Sequence, residues 1–150
     1  MCVQCNLPIQ ISLPKENRTH IDFENPYQYH RNRKGDLLIA EVDGKIVGFG
    51  GFVEYPEPTI TPTCNMRRLR VDPDYQRLGI GQKLVVERER RAIEAGYKVA
   101  RVGTSNKNQA VLHLLLKNGY KIIRETSEPE KGLGPDFIEY QLEKVLVESE

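Results

Sequence analysis

The sequence is poor in the features that mark several large protein classes, and each shortage excludes something. It carries 3 cysteines, too few and odd in number for a disulfide framework, which fits a reducing compartment. No stretch approaches the roughly 18 consecutive apolar residues that a membrane-spanning helix needs, so no membrane partner is expected. The first residues, Met1-Cys2-Val3-Gln4-Cys5-Asn6, have neither the basic region nor the apolar run of a secretory signal. The expectation is a soluble, cytoplasmic chain. Charge of one sign is lacking as well. Lys+Arg 22 against Asp+Glu 21 gives a net charge of +1 and a pI near 7.7. That is no footprint for nucleic acid, although a local basic patch is compatible with it. There is no internal repeat.

What is present suits one domain, residues 1–150. At 17.2 kDa and 39% hydrophobic residues, the chain has material for one core and little room for a second. Residues 1–35 are the least regular, with Pro8, Pro14, Pro26 and short apolar runs such as Ile9-Gln10-Ile11; one short strand and one short helix are expected there. From Asp36 the pattern sharpens. Leu37 to Val42 and Lys45 to Val53 are β-rich runs joined by Asp43-Gly44, a pair that tolerates the positive φ of a tight type I′ turn, so they read as a hairpin. Pro56, Pro58 and Pro62 mark an irregular connection, and a third strand spans Asn65 to Val71.

The period then becomes that of a helix over Gln82 to Ala95. Leu84, Val85, Arg88, Ala92 and Ile93 lie near one face, Glu87 and Arg91 pair one turn apart, and Gly96 is the stop. A strand over Lys98 to Thr104 follows. Ser105 is the expected cap of a second, leucine-rich helix that Gly119 ends. Strands from Tyr120 to Arg124 and from Phe137 to about Leu142 flank a polar loop. Strands alternating with helices after a hairpin-rich start predict an α/β (α+β mixed) fold, with a central mixed sheet of six or seven strands flanked by helices.

The most informative segment is Arg70-Val71-Asp72-Pro73-Asp74-Tyr75-Gln76-Arg77-Leu78-Gly79-Ile80-Gly81-Gln82-Lys83-Leu84. It sets two glycines between a strand and the first turn of an amphipathic helix. Lacking Cβ atoms, Gly79 and Gly81 let the backbone turn sharply and a ligand approach, while the unpaired amides of the first turn face outward at the positive end of the helix dipole. That is a site for phosphate or pyrophosphate, with Arg77 and Lys83 adding charge. It is not a P-loop, because Gly81 is followed by Gln82-Lys83-Leu84 and the metal-binding hydroxyl is missing. Nor does it match the dinucleotide fingerprint, whose third glycine is replaced by Leu84. An ordinary strand-loop-helix turn with packing glycines is the alternative for Gly79-Ile80-Gly81 taken alone.

The wider pattern goes further. Leu69-Arg70-Val71, Asp72-Pro73 and Gln76-Arg77-Leu78-Gly79-Ile80-Gly81 resemble the acetyl-CoA signature Gln/Arg-x-x-Gly-x-Gly/Ala of the GNAT superfamily of N-acetyltransferases. Downstream, Asn108-Gln109-Ala110-Val111-Leu112-His113-Leu114-Leu115-Leu116-Lys117-Asn118-Gly119-Tyr120 resembles that family's second block, an asparagine leading a helix that ends in Gly-Phe or Gly-Tyr. The resemblance covers residues 36–144 and is poor over the variable N-terminal segment 1–35. It implies acetyl-CoA as cosubstrate and direct transfer of the acetyl group to a primary amine in a ternary complex. The main chain of Leu69, Arg70 and Val71 would pair with the pantetheine arm, the amides of Gln76, Arg77, Leu78, Gly79, Ile80, Gly81 and Gln82 would hold the pyrophosphate, and Asn108 would touch the cofactor. No metal is implied.

Two departures matter. The tyrosine that many members offer as general acid is replaced here by Leu115, one turn before Gly119, and an early acidic strand residue is replaced by Asn65. Glu54 is the substitute expected as general base, directly or through water, with Tyr55 and His113 as lesser candidates. A cofactor-binding module that has lost chemistry, serving as a regulator or partner-binding domain, is the alternative that Leu115 favours; an ATP- or NAD-dependent enzyme is the second rival.

Other constellations carry less. Cys2, Cys5, His20 and His30 have the wrong histidine spacing for zinc. Gly48-Phe49-Gly50-Gly51 lies inside a strand, where close packing, a bulge or room for substrate is expected. The run Glu125, Glu128, Glu130 and Asp136 reads as a solvated face; by resemblance the same loop borders the acceptor cleft, which implies a cationic amine acceptor as the alternative. The terminal strands offer a route to a homodimer.

Overall fold

The computed structural model of the chain describes residues 9–12, 26–127 and 136–148. Its elements in chain order are β1 (Ile9–Ser12), α1 (Pro26–Asn32), β2 (Asp36–Val42), β3 (Lys45–Glu54), β4 (Thr63–Val71), a 3-10 turn (Pro73–Tyr75), α2 (Ile80–Glu94), β5 (Val99–Ser105), α3 (Gln109–Lys117), β6 (Lys121–Thr126) and β7 (Glu139–Val145). The short strand and short helix expected before residue 36 are β1 and α1. The strands form one 7-stranded sheet in the order β1-β2-β3-β4-β5-β7-β6. All neighbours pair antiparallel except β4 and β5, which are parallel.

Local chemistry explains most of this. The β2–β3 hairpin turns at Asp43 (φ 50°) and Gly44 (φ 79°), the two positive φ values of a type I′ turn. The glycines of β3 give close approach and irregular register: the β3–β4 ladder shifts between Phe49 and Gly51. A Cβ on Gly51 would lie 2.8 Å from His30 Cδ2 and 2.9 Å from the Asp36 carbonyl, so its absence seats α1 on the sheet.

The helices divide between the faces. Helix α2 lays Ile80 and Leu84 against Leu38, Ala40, Val42 and Val47, and farther along it Ala92 joins a second cluster with Phe52, Met66, Val102, Leu112, Leu115 and Leu142. Helices α2 and α3 therefore share one face, and α1 lies on the other. The buried face of α2 adds Arg88 to its aliphatic residues, as the periodicity predicts, whereas Ile93 is exposed. Two capping and pairing expectations are corrected. Asn108, not Ser105, caps α3, its side chain accepting from the Val111 amide at 3.4 Å; the Ser105 hydroxyl accepts from the Lys107 amide and serves the preceding turn. Glu87 pairs with Arg90, which also reaches Glu94, because Arg90 lies on the solvent face whereas Arg91 is half-buried.

One topological feature positions the site. The parallel ladder runs only from Thr63 opposite Val99 to Met66 opposite Val102. Beyond it, β4 continues to Val71 paired with β3, and β5 continues to Ser105 paired with β7. The two strands part, and the sheet opens a wedge between Arg67–Val71 and Gly103–Ser105.

Candidate active site

At one end of the wedge lies the glycine-bearing loop. Arg77 (φ 65°) and Gly79 (φ 85°) are both left-handed, and Gly79 is the N-cap of α2 without any side-chain capping bond. The first backbone bond of the helix is from the Lys83 amide to the Gly79 carbonyl. The amides of Ile80, Gly81 and Gln82 therefore find no acceptor among the described residues and point out of the helix, as an anion site requires. Gly81 also lets α3 pack closely, since a Cβ there would stand 3.2 Å from the Leu114 Cδ2 methyl. Beside it, the side-chain amides of Gln82 and Asn118 exchange two hydrogen bonds of 2.8 Å, tying the start of α2 to the end of α3. Asn118 is a positioning residue that sequence reading missed; its only signal is its place before Gly119.

The strand end is braced too. Gln76 Nε2 donates to the Val71 carbonyl at 3.0 Å, and the Asp72 amide donates to the Val47 carbonyl. The Gln76 side chain thus holds the loop to β4, and the Leu69 side chain packs against the core cluster under α2, leaving its main chain to face the wedge. Asn108, predicted to touch the cofactor, spends its carbonyl oxygen on the cap and is exposed.

At the other end the wedge widens into a cleft of about 490 Å³ lined by Tyr55, Asn65, Arg67, Arg68, Gly103 and Gln141 among others. It opens on the face that carries α1. Arg68 has φ 56°, a strained value for a residue with a Cβ, at the point where the β3–β4 register slips. Buried Arg88 supports this kink from the opposite face, Nη1 reaching the Arg67 carbonyl at 3.4 Å. On the α1 side, Arg67 Nη1 donates to the Tyr29 hydroxyl at 2.8 Å. Arg67 and Arg33 also lie 4.9 and 3.7 Å from the Tyr29 ring centroid. This bond, with the charges of Arg67, Arg33 and Arg68, holds the Tyr29 phenol below its ordinary range. Arg101 stands over Tyr55 at 4.7 Å and pairs with Glu143 at 2.9 Å.

The expected catalytic groups distribute unevenly. Tyr55 and Asn65 line the cleft. Glu54 does not: its carboxylate is exposed and pairs with Lys34 at 3.3 Å. His113 is on the exposed side of α3, and Leu115 is fully buried in the core. Cys64 lies under β4, where burial pushes its thiol up to about 12; a thiol that rarely ionises is no nucleophile. Of the zinc candidates, Cys2, Cys5 and His20 lie outside the described residues, and so do Glu128 and Glu130 of the acidic loop; His30 is buried against Gly51. No helix among the described residues is long and apolar enough to cross a membrane.

Comparison with known proteins agrees with this geometry. The family model described as acetyltransferase (GNAT) family matches residues 7–120, beginning inside the segment where the motif resemblance was poor. The chain is 30% identical over 101 residues to the Xenopus tropicalis protein named "Probable N-acetyltransferase camello", a stretch that is 67% of this chain and 44% of that protein. It therefore spans less than half the length of that relative. Two crystal structures share the fold. A GNAT family acetyltransferase of Staphylococcus aureus Mu50 superposes with a TM-score of 0.72 at 20% identity, covering 93% of this chain and 100% of that one. An Elizabethkingia anophelis GNAT family acetyltransferase with acetyl-CoA bound gives 0.69 at 19%, covering 91% and 97%.

Proposed function

This chain belongs to the acetyltransferase (GNAT) family, and we propose that it transfers an acetyl group from acetyl-CoA to a primary amine by direct attack in a ternary complex. The observation that carries the reading is the pairing of an open amide cradle at Ile80–Gln82 with a strand wedge that leads from it to a polar cleft. Pyrophosphate suits the helix N-terminus, and the two amides of a pantetheine arm suit an unpaired strand edge at Leu69, Arg70 and Val71. The thioester would then lie near the kink at Arg68. There the neutral amine attacks the carbonyl carbon, a main-chain amide of β4 polarises the carbonyl oxygen, and the C–S bond breaks to release the thiolate.

Proton handling needs less protein machinery than a full acid–base pair. Thiolate is a tolerable leaving group near neutral pH, so Leu115 at the usual general-acid position does not prevent turnover. Glu54 acts only through water, since its carboxylate lies outside the cleft lining and is held by Lys34. A cytoplasmic location fits the free, buried thiol of Cys64. A homodimer through the terminal strands fits the exposed Ile122 and Ile123 on edge strand β6.

The test is calorimetric binding of acetyl-CoA followed by a thiol-release screen over a panel of amines. Binding with turnover on at least one amine is the expected result. Binding without turnover on any amine transfers the reading to the regulatory or partner-binding module, and tight ATP or NAD binding without coenzyme A binding overturns both. On the responsive amine, Glu54→Gln is expected to lower kcat with little change in KM; an unchanged kcat assigns deprotonation to solvent.

A further inference from the structure

Helix α2 buries a charge that no ion pair accounts for. Arg88 is 1% exposed, in the core on the face of the sheet opposite the cleft. Its Nε and Nη2 find no acceptor among the described residues, and the neighbouring carboxylate, Glu89, is held by Lys144 at 2.5 Å. Taking a guanidinium out of water is costly, and a well-packed apolar side chain of similar volume is often at least as stable in such a place. The one described hydrogen bond of the side chain runs from Nη1 to the Arg67 carbonyl at 3.4 Å. That carbonyl belongs to an irregular part of β4. Phe49 pairs with Arg70 and Gly51 with Arg67, so Arg68 and Leu69 together stand against Gly50. This is a β-bulge, and left-handed Arg68 lies in it. Gly50 makes the room beneath: a Cβ there would lie 3.2 Å from Leu69 Cδ1 and 3.7 Å from Arg88 Nη1. The bare glycine, the bulge and the buried guanidinium meet at one point, under the kink where the strands part.

We propose that Arg88 is a positioning residue for acetyl transfer, its guanidinium holding the Arg67 carbonyl so that the β4 bulge keeps the conformation that the thioester meets. The proposal rests on the acetyltransferase reading above. A peptide unit is planar, so fixing the Arg67 carbonyl fixes the plane of the Arg67–Arg68 peptide. With it are fixed the course of the β4 main chain beside the thioester and the direction of the Arg67 side chain, which lines the cleft and reaches Tyr29 on α1. The same helix carries the amide cradle. Arg88 lies roughly 12 Å along the α2 axis from Ile80, at the usual rise of an α-helix. One rigid element therefore sets the span between the phosphates and the thioester, with backbone amides at its first turn and one buried side chain farther on.

Arg88→Met keeps an unbranched side chain in the core and removes the donors. On whichever amine the wild-type chain acetylates, kcat should fall about tenfold or more, while KM for the amine and the Kd for acetyl-CoA change little. The melting temperature should hold or rise, because an apolar side chain has replaced a buried charge. Arg88→Lys restores a donor on an unbranched stem and should recover part of the lost kcat. A methionine variant with wild-type kcat overturns the proposal, whatever its melting temperature, and leaves Arg88 a packing residue; a lysine variant no faster than the methionine one overturns it as well. A readout without ligand separates this inference from the reading beneath it. The Tyr29 phenol ionises below its ordinary range chiefly because Arg67 donates to it. Release of the bulge in Arg88→Met should loosen that bond, so Tyr29 should ionise later in an alkaline absorbance titration. If the wild-type chain acetylates no amine, the acetyltransferase reading fails, and this titration alone decides whether Arg88 holds the bulge; an unmoved Tyr29 transition then overturns it.

Discussion

The two ends of the wedge between β4 and β5 are made of different material. At the α2 end the outward-facing groups are main-chain amides of one contiguous segment, fixed by left-handed Arg77 and Gly79. At the cleft end they are side chains brought together from β4, β7 and the chain just after β3, beside the bare backbone of Gly103 in β5 and with α1 behind them. The first kind of site depends on backbone conformation and tolerates change in most side chains around it. The second depends on which side chains the topology delivers, so it is where one family member differs from another. On the proposed reading, the cosubstrate is matched to the first and the acceptor to the second.

The sharpest way to break that division is to damage the amide end alone. Gly79→Val places a β-branched residue at φ 85°, a conformation that costs roughly 1–2 kcal/mol for a residue with a Cβ, and sets a side chain where phosphate must approach. The Kd for acetyl-CoA should rise by more than about tenfold in calorimetry, with the Tyr29–Arg67 contact at the cleft end intact. Unchanged affinity would place the phosphates elsewhere.

The same division decides what could be read in advance. The hairpin at Asp43-Gly44, the helix stops at Gly96 and Gly119 and the amide cradle at Gly79–Gln82 are local, each written in a few consecutive residues. Ser105 failed as a cap because its hydroxyl serves the Lys107 turn while Asn108 reaches Val111; both residues have capping chemistry, and only backbone geometry chooses. At the cleft end only Tyr55 and Asn65 were singled out in advance. Tyr29 and Arg67 are 38 residues apart, no local pattern connects them, and the strain at Arg68 arises from a register slip against β3. Glu54 drew attention as a strand-end carboxylate, yet its strand ends beside Lys34, outside the cleft lining. That separation is set by how β3 pairs with its neighbours.

A second, smaller perturbation runs the other way. Gly51→Ala adds a Cβ 2.8 Å from His30 Cδ2 and 2.9 Å from the Asp36 carbonyl. The carbonyl is sheet backbone and cannot give, so α1 must lift from the sheet. Overpacking of this kind costs typically about 1–3 kcal/mol, read as a lower melting temperature. Because Tyr29 rides on α1, the cleft end should lose its tyrosine–arginine contact while acetyl-CoA still binds and stabilises the variant by the same increment as the parent. A loss of acetyl-CoA binding in Gly51→Ala would show that the two ends are one coupled unit.

The mildest probe reads the cleft end without moving it. The hydrogen bond from Arg67, aided by the charges of Arg67, Arg33 and Arg68, favours the Tyr29 phenolate and holds its ionisation below the ordinary phenol range. Burial pushes Tyr97 up to about 12 and raises Tyr120 as well, so these two ionise later than Tyr29 in an alkaline absorbance titration. Tyr29→Phe should remove an early-titrating phenol, and Arg67→Gln should move that phenol upward toward its ordinary range. The sign for stability follows from the depressed folded-state value. The phenolate adds stability that is fully present above the unfolded-state range and is lost as pH falls through the folded value, so at neutral pH, where the phenol is protonated in both states, Tyr29 adds no pH dependence.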